Sequence, residues 1–178
     1  MTSLVAFTVV VALVGLERLA ELVVSKRNAA WSLARGGVES GHGHYPFMVV
    51  LHSGFLVAML LEAWVRRPDV APALAWSMLA LVVGSQALRW WCITTLGPRW
   101  NTRVIIVPGL APVASGPYRL LPHPNYVAVV VEGVALPLVH GAWITALAFT
   151  VLNAALLTVR IRVENQALAT LPGARVHA

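Results

Sequence analysis

Charged residues are scarce in this sequence of 178 residues: Asp, Glu, Lys and Arg together make up 11%, whereas a typical soluble domain has about 25%. Hydrophobic residues, in contrast, make up 58%. A water-soluble domain of this size has too little interior for so much apolar surface, which a lipid bilayer accommodates. The composition therefore predicts a membrane protein, and the length fits a single domain over residues 1–178.

Acidic residues are few: seven Asp and Glu stand against thirteen Lys and Arg, which gives a net charge of +6. A basic balance is one feature of nucleic-acid-binding proteins. Here, however, the basic residues stand singly or in pairs at the ends of apolar stretches, and no basic run occurs. This distribution is typical of charges next to membrane spans. The lipid bilayer is therefore the expected partner, and nucleic acid is not.

Cysteine is almost absent, since Cys92 is the only one. A single thiol excludes an internal disulfide framework and a multi-cysteine metal site. His42 and His44 have a spacing that could mimic a metal site, but two histidines alone do not complete one. No metal is therefore expected.

Long apolar stretches are abundant, and they predict an all-α, polytopic membrane bundle of about five transmembrane helices. The fourth stretch has only 12 residues, which is short for crossing a hydrocarbon core of about 30 Å. Pro137 and Gly141 interrupt the sequence between the last two stretches, which predicts a tight helical hairpin. The five predicted spans cover residues 2–24, 46–65, 71–93, 127–138 and 142–159.

The basic residues predict an orientation. If segments 25–45, 89–124 and 160–178 share one side, that side holds ten Lys and Arg residues, against Arg66 and Arg67 on the other. Cytoplasmic loops carry an excess of Lys and Arg, so we expect the ten in the cytoplasm and the N-terminus outside. The polar regions 97–126 and 160–168 then face the cytoplasm, where a soluble cofactor is available.

One polar segment, residues 115–126, differs from its apolar surroundings. Gly116 and Pro117 form a turn signal, and Pro124, between His123 and Asn125, precedes an apolar helical stretch. Proline is favoured at the first position of a helix. Such a helix would present free N–H groups and its positive dipole end at the cytoplasmic interface, an arrangement that suits a carboxylate ligand.

A second polar cluster follows the last apolar stretch. Arg160 and Glu164 are four residues apart, so they share one helical face. A carboxylate can accept hydrogen bonds from ribose hydroxyls, and a guanidinium can hold an acidic oxygen. The pair could equally be a surface ion pair worth less than about 1 kcal/mol.

Glu132, His52 and Gln86 lie within predicted spans, where ionisable or polar residues are functional candidates. Glu132 is a catalytic candidate because it lies shortly after Tyr126, although a structural hydrogen bond between helices is an equal alternative. His52 is expected to be structural, and Gln86 is the third residue of this kind.

The chain resembles a family of membrane enzymes at two C-terminal motifs. Gly116-Pro117-Tyr118 with His123-Pro124-Asn125-Tyr126, and Arg160 followed by Glu164, are similar to the isoprenylcysteine carboxyl methyltransferase family. The resemblance covers residues 97–168 well. The N-terminal part, with Glu17-Arg18-Leu19-Ala20-Glu21, Lys26-Arg27-Asn28 and His44-Tyr45-Pro46, resembles a bacterial branch associated with O-methylation of alkylpyrones and related long-chain polyketides.

The resemblance implies an enzyme of the bacterial cytoplasmic membrane that uses S-adenosylmethionine and whose active site faces the cytoplasm. It implies that Arg160 is catalytic and contacts the methyl acceptor. Trp91 and Trp100 are expected to line the path of a lipophilic acceptor, although tryptophans at span ends are often interfacial anchors instead. The residues implied to bind the cofactor are Leu110, Ala111, Pro112, Val113, Tyr118, His123, Pro124, Asn125, Tyr126 and Glu164.

Three positions depart from the family pattern. Pro122 replaces a usual Arg or Lys, Leu110 replaces a frequent His, and Asn165 replaces a frequent second acid. We therefore expect a cofactor pocket with less charge than in relatives.

The leading hypothesis is an O-methyltransferase for an alkylpyrone, a prenylcysteine carboxylate or a similar lipophilic acceptor. One alternative is N-methylation of a phospholipid amine, which Arg160 disfavours because a guanidinium repels a cation. The other is a non-catalytic membrane transporter or scaffold that uses Glu132 and His52. Binding of S-adenosylhomocysteine would separate the last alternative from the first two.

Overall fold

A computed structural model describes residues 2–172 of the chain as a bundle of five helices with one small sheet. Four of the helices are long and apolar enough to cross a membrane. The predicted all-α membrane bundle is therefore confirmed. The helices are α1 (Thr2–Leu33), α2 (Tyr45–Arg66), α3 (Pro72–Leu96), α4 (Pro124–Leu138) and α5 (Trp143–Leu168), and the strands are β1 (Val38–Ser40) and β2 (Val104–Ile106).

The helices extend beyond the predicted spans. Helix α1 ends at Leu33 rather than at residue 24, and α5 ends at Leu168 rather than at residue 159. An apolar run measures the thickness of the bilayer, whereas a helix continues as long as its backbone hydrogen bonds do. With 32 residues, α1 is about 48 Å long and projects well beyond a core of about 30 Å. The predicted cytoplasmic region 160–168 is therefore the end of a helix.

Helix α4 starts at Pro124, three residues before the predicted stretch, and Pro124 occupies its first turn. Its 15 residues span only about 22 Å, less than the hydrocarbon thickness. The side chain of His123, at the N-cap, makes no capping hydrogen bond. The first amide groups of α4 are thus left without a side-chain cap.

The predicted hairpin joins α4 and α5 through residues 139–142. Gly141 has a φ of 68°, and an added Cβ would lie 2.9 Å from Cγ2 of Val70, so both conformation and space favour glycine. Glu62 of α2 accepts the backbone N–H groups of Ile144 (3.1 Å) and Thr145 (2.7 Å). A carboxylate at the positive end of α5 stabilises the start of this helix.

The apolar core lies among all five helices, and Phe7, Met59 and Leu136 are fully buried in it. Gly133 of α4 permits a close approach of α5, because an added Cβ would overlap the ring of Phe149. Large apolar side chains also cover the outside of the helices, for example Val65 and Trp76. An apolar exterior around an apolar core is the arrangement expected in lipid.

The end of α1 holds the segment that follows α3. The Asn28 amide donates to the carbonyls of Gly97 (3.1 Å) and Trp100 (2.8 Å), and the Ser25 hydroxyl accepts the backbone N–H of Thr102 (2.9 Å). Just beyond, β1 and β2 pair antiparallel, with Val38 opposite Ile106. The sequence analysis did not predict this sheet. Each strand has only three residues and its partner lies far away in the chain, so no local pattern reveals it.

The ten basic residues behind the predicted orientation include Arg89 and Arg175. Arg89 was counted with a loop, but it is buried inside the bundle on α3, where it pairs with Glu132 (3.0 Å). A buried arginine with a carboxylate partner does not report which side a loop occupies. Arg175 lies outside the described residues.

Candidate functional site

Two cavities meet at Asn101 and Arg160. The first has a volume of about 560 Å³ and lies between the segment 96–123 and the end of α5. The second has a volume of about 200 Å³ and lies among the helices. Arg160 and Asn101 line both cavities. The site therefore consists of two compartments separated by a few side chains.

Seven of the ten residues predicted to bind the cofactor line the first cavity. The other three differ: Asn125 and Tyr126 line the second cavity, and Pro124 is fully buried beneath the site. Pro122 and Asn165, two of the departures from the family pattern, also line the first cavity. The seven residues are Leu110, Ala111, Pro112, Val113, Tyr118, His123 and Glu164.

Glu164 is the polar centre of the first cavity. It accepts a hydrogen bond from the hydroxyl of Tyr126, and one of its oxygens lies 3.4 Å from Nδ1 of His123. The other ring nitrogen of His123 lies 2.9 Å from Oδ1 of Asn165. The hydrogen bond with Glu164 raises the pKa of His123, because it favours the charged imidazolium. The side-chain oxygen of Asn165 thus accepts a hydrogen bond from His123 without adding a negative charge to the site.

Arg160 is held in place by Tyr126. Its Nε donates to the tyrosine hydroxyl at 2.8 Å, and its guanidinium carbon lies 5.7 Å from the centre of the tyrosine ring. Both contacts fix the guanidinium, through a hydrogen bond and a cation–π interaction. Arg160 is 5% exposed and Tyr126 is 8% exposed. The two C-terminal motifs are therefore joined into one chain of contacts, from Arg160 through Tyr126 to Glu164.

Tyr118 lines another side of the first cavity with a neutral phenol. Burial raises the pKa of Tyr118, so its hydroxyl stays protonated. The turn at residues 116–119 packs closely on α3, because a Cβ added to Gly116 would lie 2.6 Å from Oγ1 of Thr95.

Two basic residues that line the first cavity, Arg99 and Arg103, were not predicted as site residues. Arg99 donates to the carbonyl of Ala111 (2.8 Å) and so holds the loop that carries Leu110 and Val113. Arg103 pairs with Glu39 of β1 at 3.3 Å. Only the folded chain brings these arginines to the cavity, although their place beside a predicted cofactor segment was visible in the sequence.

The second cavity opens towards the lipid-facing surface. Leu22 of α1 and Val49 of α2 line it, and they are 43% and 44% exposed. Trp100 lines this cavity and is buried, while its contact with an acceptor stays a prediction. Trp91 lines neither cavity and is half-exposed on α3, a position that fits an interfacial anchor better than an acceptor contact.

A buried ionic cluster, formed by Arg18, Glu21, Arg89 and Glu132, borders the second cavity. Nη1 of Arg18 lies 2.9 Å from Glu21, and Nη2 of Arg89 lies 3.0 Å from Glu132. Glu132 therefore contacts the second cavity while it takes part in structural ion pairs. Arg18, Glu21 and Arg89 all lie within the predicted spans, where charged residues indicate such a cluster, but Arg89 was also counted with the segment 89–124.

His52 also borders the second cavity. Its Nδ1 lies 2.8 Å from the carbonyl of Met48, and its ring packs edge-on against Phe149 at 5.2 Å. A carbonyl only accepts hydrogen bonds, so Nδ1 carries a proton. These contacts agree with the structural role expected for His52.

Comparison with known proteins identifies the family. The model of the isoprenylcysteine carboxyl methyltransferase (ICMT) family matches residues 78–170, just over half of the chain. The chain is 36% identical over 163 residues to the uncharacterized protein YpbQ of Bacillus subtilis, covering 91% of this chain and 96% of that protein. It is 25% identical over 156 residues to an uncharacterized protein of Haemophilus influenzae, covering 86% and 90% of the two chains.

No solved structure matches the chain significantly. The family match begins within α3 and ends just after α5, so it contains Tyr126, Arg160 and Glu164. The chain therefore belongs to the isoprenylcysteine carboxyl methyltransferase family, which implies a membrane methyltransferase.

Proposed function

We propose that this protein is an integral membrane O-methyltransferase that uses S-adenosylmethionine and modifies a lipophilic acceptor such as an alkylpyrone or a prenylcysteine carboxylate. The observation that carries the proposal is the position of Arg160, which lines both cavities and is anchored through Tyr126 to Glu164. A donor in one cavity and an acceptor in the other would meet at this arginine.

The first cavity suits the cofactor in size and chemistry. Its volume of about 560 Å³ is in the usual range for small-molecule sites. Glu164 offers a carboxylate for the ribose hydroxyls, and Leu110 to Val113 offer an apolar wall for the base. Arg99 and Arg103, which line the same cavity, offer positive partners for the carboxylate of the cofactor. The cavity residues therefore fit S-adenosylmethionine.

Arg160 would orient the acceptor. When bound, the cofactor would supply a methyl group activated by its sulfonium; an acceptor oxygen would form the C–O bond with a lone pair, and the sulfur would keep the electron pair of the broken C–S bond. A hydroxypyrone or a carboxylate is already ionised near neutral pH, so no residue has to remove a proton. The protein mainly aligns the oxygen, and such alignment can be worth roughly 7–11 kcal/mol.

The route to the second cavity supports a lipophilic acceptor. Leu22 and Val49 stand where this cavity reaches the apolar surface between α1 and α2. An acyl or prenyl tail could remain in the bilayer while its polar end reaches Arg160. In the predicted orientation, the cofactor would enter from the cytoplasm.

The same arginine argues against an amine acceptor. A phospholipid amine becomes cationic on N-methylation, and acidic or aromatic groups would stabilise it. Arg160 is fixed at the junction of the cavities and would repel a cation there. The O-methyltransferase is therefore the function that the site favours.

The test is turnover with labelled cofactor. The purified protein is incubated with methyl-labelled S-adenosylmethionine and a panel of alkylpyrones, alkylresorcinols and prenylcysteines, and the products are identified by mass. We expect one lipophilic oxygen acceptor to gain a methyl group. Arg160→Ala should lower kcat/KM by about 100-fold or more, because a charge-assisted contact to the reacting oxygen is lost.

Arg162→Ala is the matched control. Arg162 lies two residues further along α5, is exposed and lines neither cavity, so its loss should leave turnover unchanged. Full turnover of Arg160→Ala at unchanged acceptor affinity would refute the role of Arg160. Absence of S-adenosylhomocysteine binding, both in detergent and in bilayers, would refute the enzyme itself.

A further inference from the structure

The junction of the two cavities is formed by two side chains of opposite character. Asn101 and Arg160 are the only described residues that line both cavities. The guanidinium of Arg160 is positively charged and only donates hydrogen bonds, whereas the amide oxygen of Asn101 only accepts them. The junction therefore combines a group that attracts an anion with a group that attracts a positive centre.

The amide oxygen of Asn101 is available to a ligand. Oδ1 is buried and has no hydrogen-bond partner within the protein. The amide nitrogen lies 3.5 Å from the carbonyl oxygen of Arg99, and because a carbonyl only accepts hydrogen bonds, the nitrogen is the end of the amide that faces Arg99. A buried polar atom without a partner calls for an explanation. A ligand bound at the junction would provide that partner.

Helix α1 fixes the backbone on both sides of Asn101. The amide of Asn28 donates to the carbonyl of Trp100 at 2.8 Å, and the hydroxyl of Ser25 accepts the backbone N–H of Thr102 at 2.9 Å. A polar group that is held in place before the ligand binds needs no reorganisation, which makes its electrostatic effect large. The family match begins only within α3, so this support comes from a part of the chain outside the match.

The junction is also where the sulfonium of the methyl donor would lie. In the proposed function the donor occupies the first cavity and the acceptor occupies the second, so the methyl group is transferred where the cavities meet. The positive charge of a sulfonium polarises the C–H bonds of its methyl group. C–H groups form weak hydrogen bonds with carbonyl oxygens, and a charged donor strengthens such bonds.

We infer that Asn101 contacts the cofactor, and that its side-chain oxygen holds the sulfonium methyl group at the junction of the cavities. Arg160 then binds the anionic acceptor, and Asn101 binds the cationic donor. Without the amide oxygen, the sulfonium would approach the guanidinium of Arg160 with no nearby group to offset the repulsion. This inference rests on the proposed function, because it takes S-adenosylmethionine as the ligand of the first cavity.

The test compares ligands that differ in charge at the position of the sulfonium. S-adenosylmethionine is positive there and S-adenosylhomocysteine is neutral, while sinefungin carries a protonated amine in place of the S-methyl group. Their Kd values are measured by calorimetric titration without any acceptor. In the wild type, we expect sinefungin to bind at least about fivefold more tightly than S-adenosylhomocysteine, because its ammonium donates to the free oxygen of Asn101.

Two substitutions of Asn101 should change the preference for the charged ligand in opposite directions. This preference is the Kd of S-adenosylhomocysteine divided by the Kd of S-adenosylmethionine. Asn101→Leu keeps a similar volume and should lower the ratio by about fivefold or more, because the acceptor oxygen is lost. Asn101→Asp should raise the ratio by at least about threefold, because a carboxylate attracts a sulfonium more strongly than an amide does.

Asn165→Leu is the matched control. Asn165 lines only the first cavity, and its Oδ1 already has a partner in His123 at 2.9 Å. The substitution is the same, but it removes no acceptor at the junction. It should affect both ligands alike and keep the ratio within about twofold of the wild type.

A ratio for Asn101→Leu within about twofold of the wild type, or equal Kd values of sinefungin and S-adenosylhomocysteine for the wild type, would overturn the inference. In either case, binding of S-adenosylhomocysteine would still support the proposed function. Absent binding of all three ligands would overturn both. If Asn101→Leu fails to fold, an unchanged ratio in Asn101→Asp and the wild-type comparison with sinefungin decide in its place.

Discussion

Tyr126 is the residue whose replacement tests the geometry of the site most directly. Its hydroxyl donates to Glu164 and accepts from Nε of Arg160 at 2.8 Å. Tyr126→Phe removes both hydrogen bonds while the ring, which stacks on His123 at 5.3 Å, is retained. The variant therefore separates the hydrogen-bonding role from the packing role.

The magnitude follows from the charged partners. A hydrogen bond to a charged group contributes about 1.5–3 kcal/mol. Arg160 and Glu164 are one helical turn apart, so they can partly pair with each other, which recovers about 0.2–0.5 kcal/mol. In the variant, Glu164 also keeps its contact with His123. We expect at least about 1.4 kcal/mol of this loss to appear in cofactor affinity, which corresponds to an at least tenfold higher Kd for S-adenosylhomocysteine.

The assay is calorimetric titration of S-adenosylhomocysteine into the purified variant, and the control is Tyr45→Phe. The hydroxyl of Tyr45 makes only a long, neutral contact of 3.4 Å to Thr102, and Tyr45 does not line the first cavity. Its removal should change the Kd by less than about twofold, because neutral hydrogen bonds contribute little on balance. A Kd for Tyr126→Phe within twofold of the wild type, or equal effects of both variants, would show that Tyr126 does not position Glu164.

Two further predictions concern pH and packing. The hydrogen bond with Glu164 raises the pKa of His123 above its ordinary value of 6.5, so its contribution to stability is complete below pH 6.5 and is lost as the pH rises through the raised pKa. The melting temperature should fall over this range in the wild type and less in His123→Gln; equal slopes would contradict the contact. Gly133→Ala should lower the free energy of unfolding by about 1–3 kcal/mol, because its Cβ would overlap Phe149. The control Gly84→Ala adds a Cβ to α3 in open space and should be neutral or stabilising by up to about 1 kcal/mol, and similar losses in both variants would argue against the contact with Phe149.

Much of the fold could be predicted from local patterns. Five apolar stretches indicated five helices, and Pro137 with Gly141 indicated the hairpin between α4 and α5. These features depend on the polarity of neighbouring residues and on backbone conformation, both of which a sequence displays directly. The ends of the helices were less accurate, because α1 and α5 continue into polar residues.

Part of the composition of the first cavity was also accessible from the sequence. Seven predicted residues line it, because the motifs around Tyr118, His123 and Glu164 are short and local. The sequence did not reveal which predicted residues line which cavity: Asn125 and Tyr126 border the second cavity instead of the first. Adjacent residues at the start of a helix point in different directions, so one motif supplies both compartments.

By itself, the sequence determined that the chain is a membrane bundle and that its polar chemistry lies in two C-terminal segments. Only the tertiary structure decided that Arg160, Tyr126 and Glu164 form one chain of contacts between two cavities. It alone also decided that Arg89 is buried against Glu132 instead of facing water in a loop. The physical reason is that charges far apart in the chain can be buried in lipid only when folding brings opposite partners together, and which partners meet depends on how the helices pack.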